Sequence, residues 1–190
     1  FDTYLPYVPS QKEVWDFIQS FSNLKHKAVI SLMYSSGLRV GEVCALRYED
    51  ISRSSMRIHI CHSKARSDRY AILSQKALDI LTQYWFRAGK PRGFLFPNRN
   101  DPQRPMAAYT VNQFIFAKET ELGMEHRFTC HTFRHAFGTH LYENGTDLLT
   151  IKALLGHKSL NSTTIYVHLA SNGTANAVSP FDRMGGVLHE

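Results

Sequence analysis

His131-Thr132-Phe133-Arg134-His135, read on through Leu154-Leu155-Gly156-His157 to Thr163-Thr164-Ile165-Tyr166-Val167-His168, is the stretch from which the rest of the chain can be read. From His131 to Asn144 the apolar spacing is helical, with Phe133, Phe137 and Leu141 on one face and Asn144-Gly145 as a stop signal. His131 and Arg134 lie three apart on that helix and share a face, so one phosphate can meet both. Asp147 can cap a second helix from Leu148 to Leu155, and Asn161 or Ser162 a third that carries Tyr166. Tyr166 follows His157 by nine residues across a short polar connection, which lets it swing back towards the same pocket. Gly138 inside the first helix costs about 1 kcal/mol against Ala, which points to close packing of another element there.

Upstream, Ser10 can cap a helix with Val14, Phe17 and Ile18 on one face. Asn23 can cap a second through Ala28, Ile30, Leu32 and Met33, ended by Gly37. Arg39 to Leu46 reads as a short helix with Arg39 in its first turn, Glu42 one turn on, and Val43 and Leu46 buried. Met56 to Ile60 alternates apolar and polar, and Arg69 to Leu73 can answer it across the polar turn Ser63 to Asp68, giving a β-hairpin with a basic tip. Ser74 begins a helix to about Trp85, a Gly- and Pro-marked connection follows, and Thr110 can cap a helix to about Leu122. The expected fold is α+β and mainly α-helical with a small antiparallel sheet, over residues 1–170. Residues 171–190 form a linker and a tail bearing Phe181, Met184, Val187 and Leu188.

A chain of 190 residues with 43% hydrophobic content suits one well-cored domain. Its net charge of +6 lies wholly in residues 1–95, densest around Arg47, Arg53, Arg57, Lys64, Arg66 and Arg69, where a polyanion can be held through phosphate contacts. Cys44, Cys61 and Cys130 are odd in number and lack C-x-x-C spacing, which fits reduced, buried thiols of an intracellular protein. No apolar run reaches the roughly 18 to 20 residues of a membrane span, so a soluble, cytoplasmic protein with no membrane partner is expected. Phe1 is not an initiator Met, and the sequence reads as a piece of a longer chain.

Four ordered motifs carry a resemblance: Ser36-Gly37-Leu38-Arg39-Val40-Gly41-Glu42-Val43-Cys44-Ala45-Leu46, His131 to His135, Leu155 to His157, and Thr164 to His168. The chain closely resembles the tyrosine recombinase (phage integrase) family from Tyr4 to about Leu169. The resemblance implies a site-specific DNA recombinase that cleaves and rejoins strands through a 3′-phosphotyrosyl intermediate. Strand cleavage needs a nucleophile, charge stabilisation and a proton donor for the leaving oxygen. Tyr166 is the candidate nucleophile, His131 the acceptor of its proton, Arg39 and Arg134 bidentate ligands of the non-bridging oxygens, and His157 a further hydrogen-bond donor.

In that family the leaving-group acid is the lysine of the hairpin, which aligns with Lys64, although Ser63-Lys64-Ala65 departs from the usual Gly-Lys-Gly. Arg66 is the fallback. Glu42 buttresses Arg39, His135 supports the site, and Arg47, Arg57, Arg66 and Arg69 are candidate DNA contacts. His140 and His168 are surface or packing residues. Because bond energy is stored in the phosphotyrosine, no cofactor, ATP or metal is expected. The resemblance further implies double-stranded DNA with specific recombination sites as partner and a homo-tetramer on two sites passing through a Holliday junction. It also implies a nucleoid-associated or mobile-element setting, and a DNA-clamping domain ahead of this segment.

The nearest rival is type IB topoisomerase chemistry, nicking and resealing one strand with a similar residue set. A DNA-binding module without catalysis would leave Tyr166 no task. A metal-binding reading of His59-x-Cys61-His62, or of His131 with His135, is weaker, because the first lies on a strand whose alternate residues face opposite ways.

Overall fold

The computed structural model describes residues 5–61, 68–170 and 179–184. Eight α-helices are present among them: α1 (Gln11–Gln19), α2 (Leu24–Ser36), α3 (Val40–Cys44), α4 (Gln75–Arg87), α5 (Ala108–Glu121), α6 (Cys130–Glu143), α7 (Leu148–Leu155) and α8 (Ile165–Leu169). The strands β1 (Ile51–Ser52), β2 (Arg57–Ile60) and β3 (Arg69–Ile72) form one antiparallel sheet in that order, with Ile51 opposite Ile58 and Ile58 opposite Ala71. The fold is therefore mainly helical with a small antiparallel sheet. None of the described helices is long and apolar enough to cross a membrane.

Helix α2 is the axis of the core. Ala28, Val29, Ile30, Leu32 and Met33 are all fully buried, and the helix packs against α1, α3, α4, α5 and α6. An apolar surface that continues round a helix requires neighbours on every side. Asn23 caps its start by accepting from the His26 N–H, and Gly37 ends it at φ 66. No other residue suits Gly37, since a Cβ there would lie 2.4 Å from Phe137 Cδ1 on α6. Ser10, Ser74 and Asp147 cap α1, α4 and α7 as their positions predict.

Several boundaries differ from the sequence reading. Arg39 precedes α3 as its N-cap, with extended backbone, instead of lying in its first turn. Thr110 lies inside α5: Met106 donates its N–H to the Phe96 carbonyl, and the helix starts two residues later with no side-chain cap. Asn161 and Ser162 belong to a 3-10 turn, Leu160–Ser162, that Ser159 caps. Helix α8 then begins at Ile165 without a side-chain cap. Met56 adopts φ 51 and so delays β2 to Arg57. The hairpin's connecting residues 62–67, with Lys64 and Arg66, lie outside the described residues. Of the three thiols, Cys44 and Cys130 are buried as expected, but Cys61 is exposed because it follows the last paired residue of β2.

Candidate active site

The junction between the end of α2 and the start of α3 meets α6 and α7, and α8 packs on α6. Arg134, on the second turn of α6, is buried and spends its guanidinium on backbone carbonyls: Nη1 donates to Gly37 (2.6 Å) and Nη2 to Leu155 (2.7 Å). It thereby ties together the ends of α2 and α7, both of which finish in a left-handed glycine, Gly37 and Gly156. Burial, then the like charge of Arg39, brings its pKa down to about 10, so it remains charged at neutral pH.

Glu42 is the charge hub. Arg69 Nη1 and Nη2 both donate to its carboxylate, the latter at 2.9 Å, and the Arg39 N–H donates to Oε1 at 2.8 Å. Arg39 Nη1 lies 3.6 Å from Oε2, and Arg134 Nη1 lies 4.0 Å from Oε1. Burial would raise the Glu42 pKa, but the hydrogen bonds from Arg69 and Arg39 and their charges outweigh it and hold the carboxyl below its usual range. Three arginines are thus held around one carboxylate. Arg39 is the most open of the three, its side chain 43% exposed against 9% for Arg69 and 7% for Arg134.

Arg69 therefore needs correcting as a DNA contact. It clamps the sheet to α7, with Nε donating to the Leu154 carbonyl at 3.1 Å as well as the pair to Glu42. Its alternation on β3 points it inward, and Gly156 makes room, since a Cβ there would come within 2.7 Å of Arg69 Cδ. Arg57 is exposed at the opposite end of β2 from Cys61. Arg47 is exposed and lies over the Phe94 ring at 4.1 Å.

On the other side lie the rings. Tyr166 is 1% exposed, pressed on Gly138 so closely that a Cβ there would be 2.4 Å from Cζ. The His157 ring stacks parallel to it at 6.3 Å, and His135 lies at 6.3 Å on a tilt. His131, exposed in the first turn of α6, stands 6.4 Å from His135. Burial raises the Tyr166 pKa, opposed by the charges of Arg134 and Arg39. Burial also pushes His157 down to about 4, aided by Arg134, Arg39, Arg69 and His135. His135 is lowered by burial and then by His131 and Arg134. Both imidazoles are neutral at pH 7.

Sequence reasoning missed Thr163, a fully buried hydroxyl 2.8 Å from His157 Nδ1. If Thr163 donates, the neutral His157 carries its proton on Nε2, which is then a donor. Its place three residues before Tyr166 was the available signal. His140 is a packing residue, within hydrogen-bond reach of Tyr34 Oη and the Pro9 carbonyl, while His168 is exposed.

A buried arginine bridge, an open arginine, two neutral imidazoles and a buried tyrosine lie within one another's electrostatic reach, a set suited to a phosphodiester. The Phage integrase family model matches residues 10–172, and the chain belongs to that family. It is 37% identical to the y4eF protein of Sinorhizobium fredii over 94% of this chain and 70% of that protein. It is 33% identical to the tyrosine recombinase of Pseudothermotoga lettingae over 84% of this chain and 55% of that one. The crystal structure of XerA recombinase superposes with a TM-score of 0.81 at 27% identity, covering 90% of this chain and 64% of that one. This chain thus spans a little over half to about two thirds of the length of these relatives.

Proposed function

We propose that this chain is the catalytic domain of a site-specific DNA recombinase that cuts and rejoins strands through a 3′-phosphotyrosyl link. The observation that carries the reading is the convergence of Arg39, Arg134, His157 and Tyr166 from four separate elements, with Glu42 fixing the arginines. Arg39 and Arg134 hold the non-bridging oxygens, and His157 Nε2–H adds a third donor where transition-state charge develops. Tyr166 Oη attacks phosphorus in line and its proton passes to His131, while the 5′ oxygen departs with a proton from Lys64, Arg66 being the alternative donor. Rejoining is the reverse, so the exchange conserves bond energy and requires no ATP.

The partner is double-stranded DNA carrying specific sites, contacted through the basic face that includes Arg47 and Arg57. Four protomers on two sites would exchange strands in pairs. The tail fits that assembly, because Phe181 and Met184 are 79% and 70% exposed and would need a groove, as on a neighbouring protomer. The setting is the cytoplasm, on the nucleoid or with a mobile element.

A nicked substrate that loses its 5′ fragment after cleavage tests the nucleophile. Wild type should accumulate covalent protein–DNA complex on a denaturing gel. Tyr166→Phe should give none while binding DNA within a few-fold of wild type. Covalent complex persisting in that variant would assign another nucleophile. A substrate with sulfur at the 5′ bridging position should rescue Lys64→Ala, since a thiolate leaves without protonation; rescue of Arg66→Ala instead would move the acid two residues along.

A further inference from the structure

The cleft that holds Arg39, Glu42 and His131 extends as a cavity of about 520 Å³ to a second cluster at its far end, Asp50, His59 and Cys61. One ligand atom from each lies within 4.8 Å of the others. His59 Nδ1 is 3.3 Å from Cys61 Sγ and 3.8 Å from Asp50 Oδ1. The other carboxylate oxygen of Asp50 accepts from the Arg47 N–H at 2.8 Å, which fixes the side chain with Oδ1 turned to the histidine. His59 Nε2 lies 3.0 Å from Asp68 Oδ2. A proton held on Nε2 by that carboxylate leaves the Nδ1 lone pair facing the thiol and Asp50.

We propose that Asp50, His59 and Cys61 form a binding site for a divalent transition metal of zinc type, with Asp68 orienting the histidine. Strand alternation weighs against a site on His59-x-Cys61-His62, but His59 and Cys61, two residues apart, lie within reach of each other, and Asp50 arrives from the 3-10 turn Tyr48–Asp50. Ligand bonds of about 2.0 to 2.3 Å in a tetrahedron put donor atoms roughly 3.3 to 3.7 Å apart, which the two distances from Nδ1 bracket. Thiolate, imidazole and carboxylate together select zinc over magnesium or calcium. A carboxylate behind a ligating histidine is the usual outer support of such sites. The carboxylates of Asp50 and Asp68 flank His59, an anionic setting that attracts a cation.

Binding replaces the thiol proton by the dication, so the cluster becomes more positive by one unit beside the cleft. Given the proposed DNA substrate, that removes repulsion towards phosphate. One unit charge roughly 5 Å from a phosphate in water corresponds to about a fourfold change in affinity at low salt.

Cobalt(II) titrated into the full chain without DNA tests the site. One equivalent should give the absorption of tetrahedral cobalt with a thiolate-to-metal charge-transfer band. Cys61→Ser, at an exposed position, should abolish that band, and Asp68→Asn should retain it with about 10- to 100-fold weaker affinity. Absence of the band in wild type, or a band that survives in Cys61→Ser, would overturn the site. Zinc should then tighten DNA binding about fourfold in wild type and not in Cys61→Ser. A cobalt band with no such tightening would leave the metal site standing and overturn its role at the DNA face; failure of the recombinase reading would leave the cobalt spectra untouched.

Discussion

The two halves of the site are held in different ways. The arginine half is locked by saturation: Arg134 donates to two backbone carbonyls, Arg69 to Glu42 and Leu154, and Glu42 collects the Arg39 N–H besides. The tyrosine half is held by ring packing. Tyr166 rides on a helix of five residues with no side-chain cap, wedged on Gly138 between His157 and His135. Hydrogen bonds to backbone fix position and direction, whereas stacked rings fix only a volume. On the proposed reading, the side that would hold phosphate is preorganised, and the side that would attack is expected to move with little effect on it.

The sharpest break of that comparison sets Arg134→Lys against Arg39→Lys. Both should cut cleavage by about two to three orders of magnitude, since a lost donor to developing charge is worth about 2.7 to 4 kcal/mol in a preorganised site. Only Arg134→Lys should also unfold more readily, because a lysine cannot reach both the Gly37 and Leu155 carbonyls and one is left buried without a partner, at about 1 to 3 kcal/mol. Urea melts alongside trapping assays read both effects. Equal stabilities in the two variants would remove Arg134 from the frame.

That asymmetry also explains what could be read in advance. In the arginine half the candidates Arg39, Glu42 and Arg134 could be picked out by their motifs, although Arg39 stands before α3 as its extended N-cap and not in its first turn. The partners could not: Gly37, Leu155 and Leu154 contribute carbonyls, which no side-chain pattern reveals. Arg69 looked like a surface cation because its clamp depends on Glu42, 27 residues away. Strand β1, two residues long, is too short for alternation to show. The core helices were legible from their caps, while α5 and α8 were misplaced at their starts because neither has a side-chain cap.

Gly138→Ala probes the tyrosine half. Its methyl would meet Cζ of Tyr166 at 2.4 Å, so the ring must shift. Overpacking of this kind costs about 1 to 3 kcal/mol, less than the loss of α6 as a whole. We expect Tyr166 to become several-fold more reactive to nitration, read by mass spectrometry of the peptide, with little change in DNA affinity. Unchanged nitration with lowered DNA affinity would mean that the two halves move together.

The smallest effect concerns how far the arginine field reaches into the tyrosine half. His157 is pushed down to about 4, by burial first and then by Arg134, Arg39 and Arg69, against an ordinary value of 6.5. Between those values the unfolded chain binds a proton that the folded chain refuses, so stability rises with pH through that window and is lost as pH falls from 6.5 towards 4. His26, His135 and His140 are lowered as well, so the wild-type profile alone mixes several groups. The informative quantity is the difference between wild type and His157→Asn in urea midpoint. It should be constant above pH 6.5 and shift in favour of the variant below it, since asparagine keeps a polar partner for Thr163 without a proton to bind. Arg39→Lys should leave that shift in place, because the charge is kept, while Arg39→Gln should shrink it. A difference that is flat from pH 7 to 4 would mean that His157 titrates normally and that the field of the arginines stops short of the tyrosine.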